Sequence, residues 1–398
     1  MKKRLGFIAG APRISTNPNA EMSGPRSRVL GLIQGFDSLN WSVEPFIVGD
    51  RTPQKWSAKG SEALVSKGFV RTLAVDLVRL GLGAFNSWKS WRELGQKVDW
   101  VYEYAATLQC LGWIFQKQGI PWILQVEALL YYEAKAERKA LVLDGIAKKL
   151  EIWSYRQCDV IACVSETLKE ILVAEIGIDE KKIVLVPNGV DIQFLNPQLH
   201  QPKRLFADFT IGFVGSLYSW AGLNLLLEAI YELKTDDYQI SLVVVGDGEM
   251  KKAWLTQAQA LGIDDKVKFI GRVPWEEVPQ YIAGCDICFS GQIQLQMGKM
   301  YLSPMKLYEY MSMGKPVIAS AFEDAQRLVI PGETGFLFQP GNKDSLKNAV
   351  IQAVDAQDQF SSMGDKARKQ IEVEHSWTNR VQHLLEETEK ILQEKTKA

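Results

Sequence analysis

Two ionisable residues stand three apart in a stretch that is otherwise apolar. Residues 303–320 read SPMKLYEYMSMGKPVIAS, and Lys306 and Glu309 share a face of any helix formed there. Their neighbours are Met305, Leu307, Tyr308, Tyr310, Met311 and Met313, the composition of a buried helix, where charges are rare without partners. Two chemistries fit. One is an i,i+3 ion pair on the helix's wet edge, worth about 0.2–0.5 kcal/mol. The other places an anion at the helix N-terminus, where free N–H groups and the dipole favour negative charge. Lys306 then meets a phosphate and Glu309 accepts hydrogen bonds from sugar hydroxyls, two groups that a nucleotide sugar carries at about that separation.

The elements that must hold this pair are legible on both sides of it. Ser303-Pro304 predicts an N-cap followed by proline at the first helical position. Gly314 ends the helix, Lys315-Pro316 prevents its restart, and Val317–Ala319 reads as a buried strand. From the N-terminus, a strand at Leu5–Ala9, a glycine- and proline-bearing loop from Gly10 to Gly24, a helix over 25–39 and a strand at Val43–Val48 make a βαβ opening. Arg13, Arg26 and Arg28 lie in or beside that loop, which lacks a GxGxxG fingerprint. Helices over 61–97 precede strands at Val98–Tyr102, Trp122–Val126, Val160–Val164 and Val184–Val186, with the longest intervening helix from Glu133 to Cys158. A linker at Asn196–Asp208 leads to a second round, with strands at Ile211–Val214, Ile240–Val245, Val267–Ile270, Ile287–Phe289 and Gly335–Phe338. Strands alternating with helices imply parallel sheets covered on both faces, and ligands bind such sheets beyond the carboxyl ends of the strands. Two such halves suggest a pocket in the cleft between them.

Composition narrows the function classes. A chain of 398 residues exceeds one ordinary core. A formal net charge of -1 argues against general nucleic-acid binding. Residues 1–100 nevertheless carry a balance of +7 and the remainder -8. The basic excess includes Arg71, Arg79, Lys89, Arg92 and Lys97, interleaved with Phe85, Trp88 and Trp91, which suggests an anionic membrane surface as a partner. No secretory signal and no membrane-spanning run are expected, so the reading is a cytoplasmic protein, peripheral on the inner face of the cell membrane. Five cysteines and three histidines offer neither a disulfide framework nor a metal site at zinc spacing.

In their order, several motifs together resemble the family 4 glycosyltransferases, which have the GT-B architecture. They are VSETLKEIL, IVLVPNGVDIQFLNP, FVGSLYSWAGLNLLLEAI, VVVGDGEMKKAW, VKFIGRVPWEEVPQYIAGCDICF, the Lys306–Glu309 helix, GETGFLFQPGNKDSL and HSWTNRVQHLLE. The resemblance implies an α/β fold of two facing Rossmann-like, doubly wound domains with a cleft between them. Residues 1–200 would bind the acceptor, residues 201–375 would bind the donor, and a C-terminal helix over 376–398 would pack back towards the N-terminal domain. It implies a retaining glycosyltransferase that moves a sugar from a nucleotide-diphosphate sugar to a lipid-linked acceptor, polysaccharide or other glycoconjugate, with no permanent cofactor and no metal. Carried over residue by residue, Lys306 and Glu309 are the catalytic candidates. Gly24, Gly215, Ser216, Gly246, Asp247, Gly248, Arg272, Val273, Pro304, Met305 and Leu307 join them around the donor. Arg13, Glu127 and Glu133 are candidates on the acceptor side.

The departures from the family's pattern bear on chemistry. Ser216 and Ala221 occupy the places where two basic residues often hold the diphosphate, and Tyr301 stands where the first glutamate of a pair is usual. Lys306 becomes the expected replacement cation, with Arg13, Arg26, Arg272 and Lys299 in reserve. The same departures keep a catalytically silent GT-B binding or scaffold protein as a rival, and a nucleotide-sugar epimerase as a more distant one.

Overall fold

The computed structural model describes residues 2–52, 68–137 and 139–397. The chain divides into two compact units, one of Met1–Pro187, Tyr301–Ser303 and Trp377–Ala398, the other of Asn188–Met300 and Pro304–Ser376. Among the described residues no helix is long and apolar enough to cross a membrane.

In the first unit a parallel sheet is ordered β2-β1-β3-β4-β5-β6. Its strands are β1 (Arg4–Ala9), β2 (Ser42–Ile47), β3 (Trp100–Tyr104), β4 (Trp122–Val126), β5 (Val160–Cys163) and β6 (Ile183–Leu185). β3 and β4 are buried at every position, as strands covered on both faces must be. The strand order reverses direction at β1 and β3. The helix Gly24–Ser38 follows β1, capped by Ser23, whose side chain accepts from Arg26 N. It packs so closely on the C-terminal helix Trp377–Lys397 that a Cβ on Gly31 would fall 2.1 Å from the Trp377 indole nitrogen. Glu103 at the end of β3 is buried and accepts from Leu111 N and Gly112 N, both at 2.8 Å. Burial raises its pKa to about 7 against those two hydrogen bonds.

The expected helices over 61–97 are a single helix, Phe69–Leu94, and residues 61–67 lie outside the described residues. The expected helix Glu133–Cys158 is broken. A π-turn at Glu133–Glu137 is followed by irregular chain, and the helix proper runs Asp144–Gln157. The Asp76 carboxylate accepts from Val142 N at 2.8 Å and Leu143 N at 3.0 Å. Those amides are thereby drawn off to a carboxylate on another helix, a tertiary choice that the local pattern does not carry.

The second unit holds a parallel sheet ordered β12-β11-β10-β7-β8-β9, with β7 (Phe209–Val214), β8 (Ile240–Val245), β9 (Val267–Gly271), β10 (Ile287–Ser290), β11 (Val317–Ser320) and β12 (Gly335–Phe338). Numbered from its own first strand, that is the doubly wound order 3-2-1-4-5-6, and its reversal lies between β7 and β10. One core packs the helices Leu223–Thr235 and Lys343–Asp355 against the sheet, around Leu226, Leu227, Ile230, Leu346 and Val350. On the other face Leu307, Tyr308, Tyr310 and Met311 pack with Val243, Val245 and Cys288. The Lys306–Glu309 helix is thereby seated on a sheet whose switch point lies between the strand that precedes Gly215 and the strand that leads into the helix.

Candidate functional site

The site is built where β7 and β8 stop. Past Val214, Gly215 takes φ 142° and donates its N–H to Val245 O at 2.9 Å. Past Val245, Gly246 takes φ 133° and donates to Gly271 O at 2.8 Å. A side chain at Gly246 is barred twice, by its positive φ and because a Cβ there would fall 1.9 Å from Gly215 O. Leu217 N then donates to Asp247 O at 3.0 Å, and Gly248 lies so near Leu217 that a Cβ would meet its carbonyl oxygen at 2.6 Å. Three strand ends are therefore joined main chain to main chain in a ledge of glycine-bearing backbone.

The helix that carries Lys306 and Glu309 runs Met305–Ser312. Pro304 is its N-cap, and no side chain caps it, so the expected Ser303 cap with proline at the first helical position is corrected by one residue. Pro304 takes the extended conformation of a cap, φ -80° and ψ 104°, and helical backbone begins only after it. Tyr310 ties the helix to the end of β7. Its hydroxyl accepts from Val214 N at 2.7 Å and donates to Val214 O at 3.1 Å. One turn earlier, the same geometry brings Lys306 Nζ to 3.8 Å from the centre of the Phe213 ring. It lies 3.3 Å from where a Cβ on Gly215 would sit.

Lys306 and Glu309 are half-buried. Loss of hydration lowers the Lys306 pKa to about 7, partly offset by the Glu309 charge, and raises that of Glu309 to about 7, partly offset by Lys306. Among the described residues no ion pair closes between them, and the ammonium has an aromatic face for company. The i,i+3 ion-pair reading of the sequence is thus not what the geometry holds. A cation short of water instead sits beside Gly215 at a helix N-terminus, with a carboxylate three residues further along the same helix. That arrangement suits a ligand carrying both an anionic group and hydroxyls.

The other donor-side candidates sort by position. Gly215, Gly246, Asp247, Gly248 and Lys306 are brought together. Ser216 is exposed beside Gly215, and Ala221 is buried. Asp247 accepts from Gly248 N at 2.9 Å and lies 3.7 Å from Lys251. Arg272 is exposed just past β9, and Val273 is half-buried against the helix's own cluster. Met305 is half-buried, whereas the Leu307 side chain is fully enclosed in the core, which leaves only its main chain for a ligand. Lys299 is exposed. Tyr301 is buried, and its carbonyl accepts from Ser165 Oγ at 2.6 Å within the first unit.

The remaining candidates lie in the first unit. Gly24 and Arg13 are exposed, and Glu133 is half-buried in the π-turn. Arg26 is not a reserve cation. Its guanidinium is buried and donates to Ser15 O at 2.9 Å and Asn17 O at 2.8 Å, stapling its own loop. The Asp50 carboxylate closes that loop from the other side, accepting from Ser15 Oγ at 2.6 Å and from Thr16 N at 2.6 Å. Glu127 pairs with the buried Arg28, 2.6 Å from its Nε, and accepts from the Tyr104 hydroxyl. Arg28 also donates to Val186 O at 2.8 Å and lies over the Trp377 ring.

Phe213 and Tyr310 were not among the residues expected at the site. Tyr310 had one signal: a tyrosine in a buried helix needs a hydroxyl partner. Tyr310→Phe leaves the Val214 N–H without its acceptor, and the expected cost is about 1 kcal/mol of stability with a modest rise in donor KM. Calorimetric unfolding and donor titration check this. An unchanged Tm together with an unchanged KM would show that the hydroxyl does not position the helix.

Comparison with known proteins places these features in context. The chain matches the family described as Glycosyltransferase Family 4 over residues 23–194 and that described as Glycosyl transferases group 1 over residues 198–370. It is 25% identical to the UDP-Gal:alpha-D-GlcNAc-diphosphoundecaprenol alpha-1,3-galactosyltransferase of Escherichia coli over 272 residues, which covers 65% of this chain and 67% of that one. The chain spans somewhat over half the length of several other curated relatives that it matches, between 53% and 57%. In fold it is similar to the sucrose-phosphate synthase of Thermosynechococcus elongatus, with TM-score 0.71 and 15% identity, over 98% of this chain and 99% of that one. It is also similar to Anabaena HepE solved with UDP and glucose, with TM-score 0.66 and 16% identity, over 96% and 98%. The architecture is therefore GT-B, as the order of motifs implied.

Proposed function

We propose, from the premise that this chain belongs to the family 4 glycosyltransferases, that it moves a sugar from a nucleoside diphosphate sugar to a lipid-linked or polysaccharide acceptor, with retention at the anomeric carbon. The observation that carries the donor half is the Lys306 ammonium poised beside Gly215 where β7 ends, with Glu309 one turn along. In the reaction the bond between the anomeric carbon and the diphosphate oxygen breaks, and a bond from the acceptor oxygen to that carbon forms. The acceptor's proton passes to the departing diphosphate. Lys306 and the first-turn amides offset the charge that grows on that diphosphate. Glu309 holds the ribose hydroxyls, and the turn after Gly271 receives the base. The UDP and glucose seen in HepE support a uridine nucleotide as the first donor to try. The acceptor class is supported by the diphosphoundecaprenol in the name of the Escherichia coli relative.

A scaffold without chemistry remains the second reading, because Ser216 and Ala221 supply no cation where the family often has two. A thermal-shift screen against a panel of nucleotide sugars, followed by assay of donor hydrolysis, tests both. At a free ligand concentration of one hundred times Kd, a cognate donor adds about 2.7 kcal/mol of apparent stability. A donor that shifts Tm and is hydrolysed supports the enzyme. A donor that shifts Tm but is never turned over across a broad acceptor panel supports the scaffold, and no shift with any nucleotide sugar sinks both.

A further inference from the structure

The helix Phe69–Leu94 is turned the wrong way round for one surrounded by water. Its buried face is made of small and polar residues, among them Thr72, Asp76, Gly83, Asn86, Ser87 and Ser90. Several of them are held from within. Thr72 Oγ1 donates to Gly68 O at 3.1 Å, Asp76 takes the two loop amides already described, and Ser87 Oγ donates to Leu111 O at 3.3 Å. A Cβ on Gly83 would fall 3.2 Å from Gln109 Cγ, so the helix lies close on its neighbours.

The opposite face is apolar and open. Val70, Leu77, Val78, Leu82, Phe85 and Trp88 are between 41% and 78% exposed. Their spacing of three, four and seven residues forms one continuous stripe. At about 1.5 Å per residue the helix offers a rod close to 39 Å long. Exposed apolar surface gathered in this way marks an interaction surface. Arg71 and Arg92 are exposed and Lys89 is half-exposed on this helix, whereas its acids are Asp76, which is buried, and Glu93, which is half-exposed and held by Arg51 at 2.6 Å. The Arg92 guanidinium lies 4.9 Å from the centre of the Trp88 ring, and Lys89 Nζ lies 6.0 Å from that of Phe85. Arg79 is excluded from this set, since it donates to Asp76 at 3.0 Å and to Ala140 O at 3.1 Å.

We propose that the outward face of the Phe69–Leu94 helix docks on an anionic lipid bilayer. The stripe enters the boundary between headgroups and acyl chains, and Arg71, Lys89 and Arg92 meet lipid phosphates. The sign of the charge selects this occupant over a second copy of the chain. Two-fold pairing of such helices would set Arg71 against Arg71 in a parallel arrangement, and against Lys89 and Arg92 in an antiparallel one, while the half-exposed acid Glu93 is already taken by Arg51 at 2.6 Å. A bilayer bearing anionic headgroups takes the apolar stripe and the cations together. This goes beyond sugar transfer and does not depend on it.

The test is sedimentation of the full chain with vesicles of phosphatidylcholine alone and of phosphatidylcholine mixed with phosphatidylglycerol. Wild type should bind the anionic vesicles far more tightly, and the preference should fade with salt. Reversal of the three cations (Arg71→Glu, Lys89→Glu, Arg92→Glu) should weaken that binding by roughly a hundredfold or more, at about fivefold per lost basic contact near a surface. Leu77→Ser, Leu82→Ser and Phe85→Ser together should abolish it, with circular dichroism confirming the fold. Where that variant does not fold, Trp88→Phe serves instead, because loss of brominated-lipid quenching places Trp88 in the bilayer. Wild type that ignores anionic vesicles, or binding that survives both sets of changes, overturns the proposal. Absence of vesicle binding together with a concentration-dependent dimer that Phe85→Ser dissolves would assign the face to a second copy.

Discussion

Lys306→Ala is expected to lower kcat by about 10²–10³-fold, the scale for removing one preorganised transition-state donor, while binding of the free nucleoside changes little. Family members often share the diphosphate's charge between basic residues at the places occupied here by Ser216 and Ala221. Ser216 is neutral and Ala221 is buried, so neither can take that part. Arg26 is occupied by the main chain of its own loop. Lys306, with its Nζ packed over Phe213 and beside Gly215, is the cation at the end of β7, whereas Lys251, beside Gly271, lies 3.7 Å from the Asp247 carboxylate. Its first-turn position adds a full charge to the positive end of the helix dipole. Lys306→Arg should recover only part of the loss, because a planar fork does not occupy the space of a compact ammonium set between a ring and a glycine.

The same residue gives a thermodynamic signature independent of turnover. Burial holds the Lys306 pKa near 7 in the free protein. A diphosphate beside it favours the charged form and pulls the pKa back up. Donor binding at about pH 8 should therefore take up a proton, seen as an enthalpy that varies with the ionisation heat of the buffer. Lys306→Ala should bind donor without that dependence. Normal sugar transfer with alanine at 306 would show that another group holds the phosphates.

The architecture was legible because both halves repeat one local code. Short apolar runs alternate with helices of amphipathic spacing, so strands such as Trp122–Val126 and Ile240–Val245 could be read to the residue. What escaped was decided by tertiary partners. The chain after Glu133 looked like one long helix because nothing nearby says that Asp76, on another helix, takes the amides of Val142 and Leu143. The inward-facing roles of Arg26 and Arg28 were hidden likewise, because an arginine in the first turns of a helix after a glycine-bearing loop reads as a surface cation until its carbonyl and carboxylate partners are in view. At the site, type and spacing singled out Lys306 and Glu309, whereas the ring beneath the lysine and the Tyr310 clamp lie one strand and one helical turn away. The inverted helix Phe69–Leu94 was visible as basic and aromatic interleaving, but only packing shows which face is wet.

Glu309→Gln separates a working carboxylate from a structural one, and the two readings predict opposite signs for stability. A carboxylate kept for an ion pair would destabilise the protein when neutralised. Here burial raises the Glu309 pKa from 4.5 to about 7. The folded state thus binds a proton more tightly than the unfolded one. The stabilising effect of that proton is complete below about pH 4.5 and lost as pH rises through 7, so at pH 8 the ionised side chain is a burden on the fold. Glutamine, which needs no ionisation, should raise Tm at pH 8 and change it little at pH 4. It should also lower kcat/KM for the donor by about tenfold or more, at least about 1.4 kcal/mol of transition-state binding, since an amide is a poorer acceptor for a pair of ribose hydroxyls. Glu309→Ala, lacking any acceptor, should lose at least as much. In wild type, donor affinity should improve as Glu309 ionises through pH 7 and decline as Lys306 deprotonates, giving a bell-shaped kcat/KM around neutrality whose acid limb disappears in Glu309→Gln. A stabilised variant with weakened donor kinetics would fix Glu309 as a residue retained for its ligand at the fold's expense. A variant that loses Tm at pH 8 and keeps normal donor kinetics would instead remove it from the site.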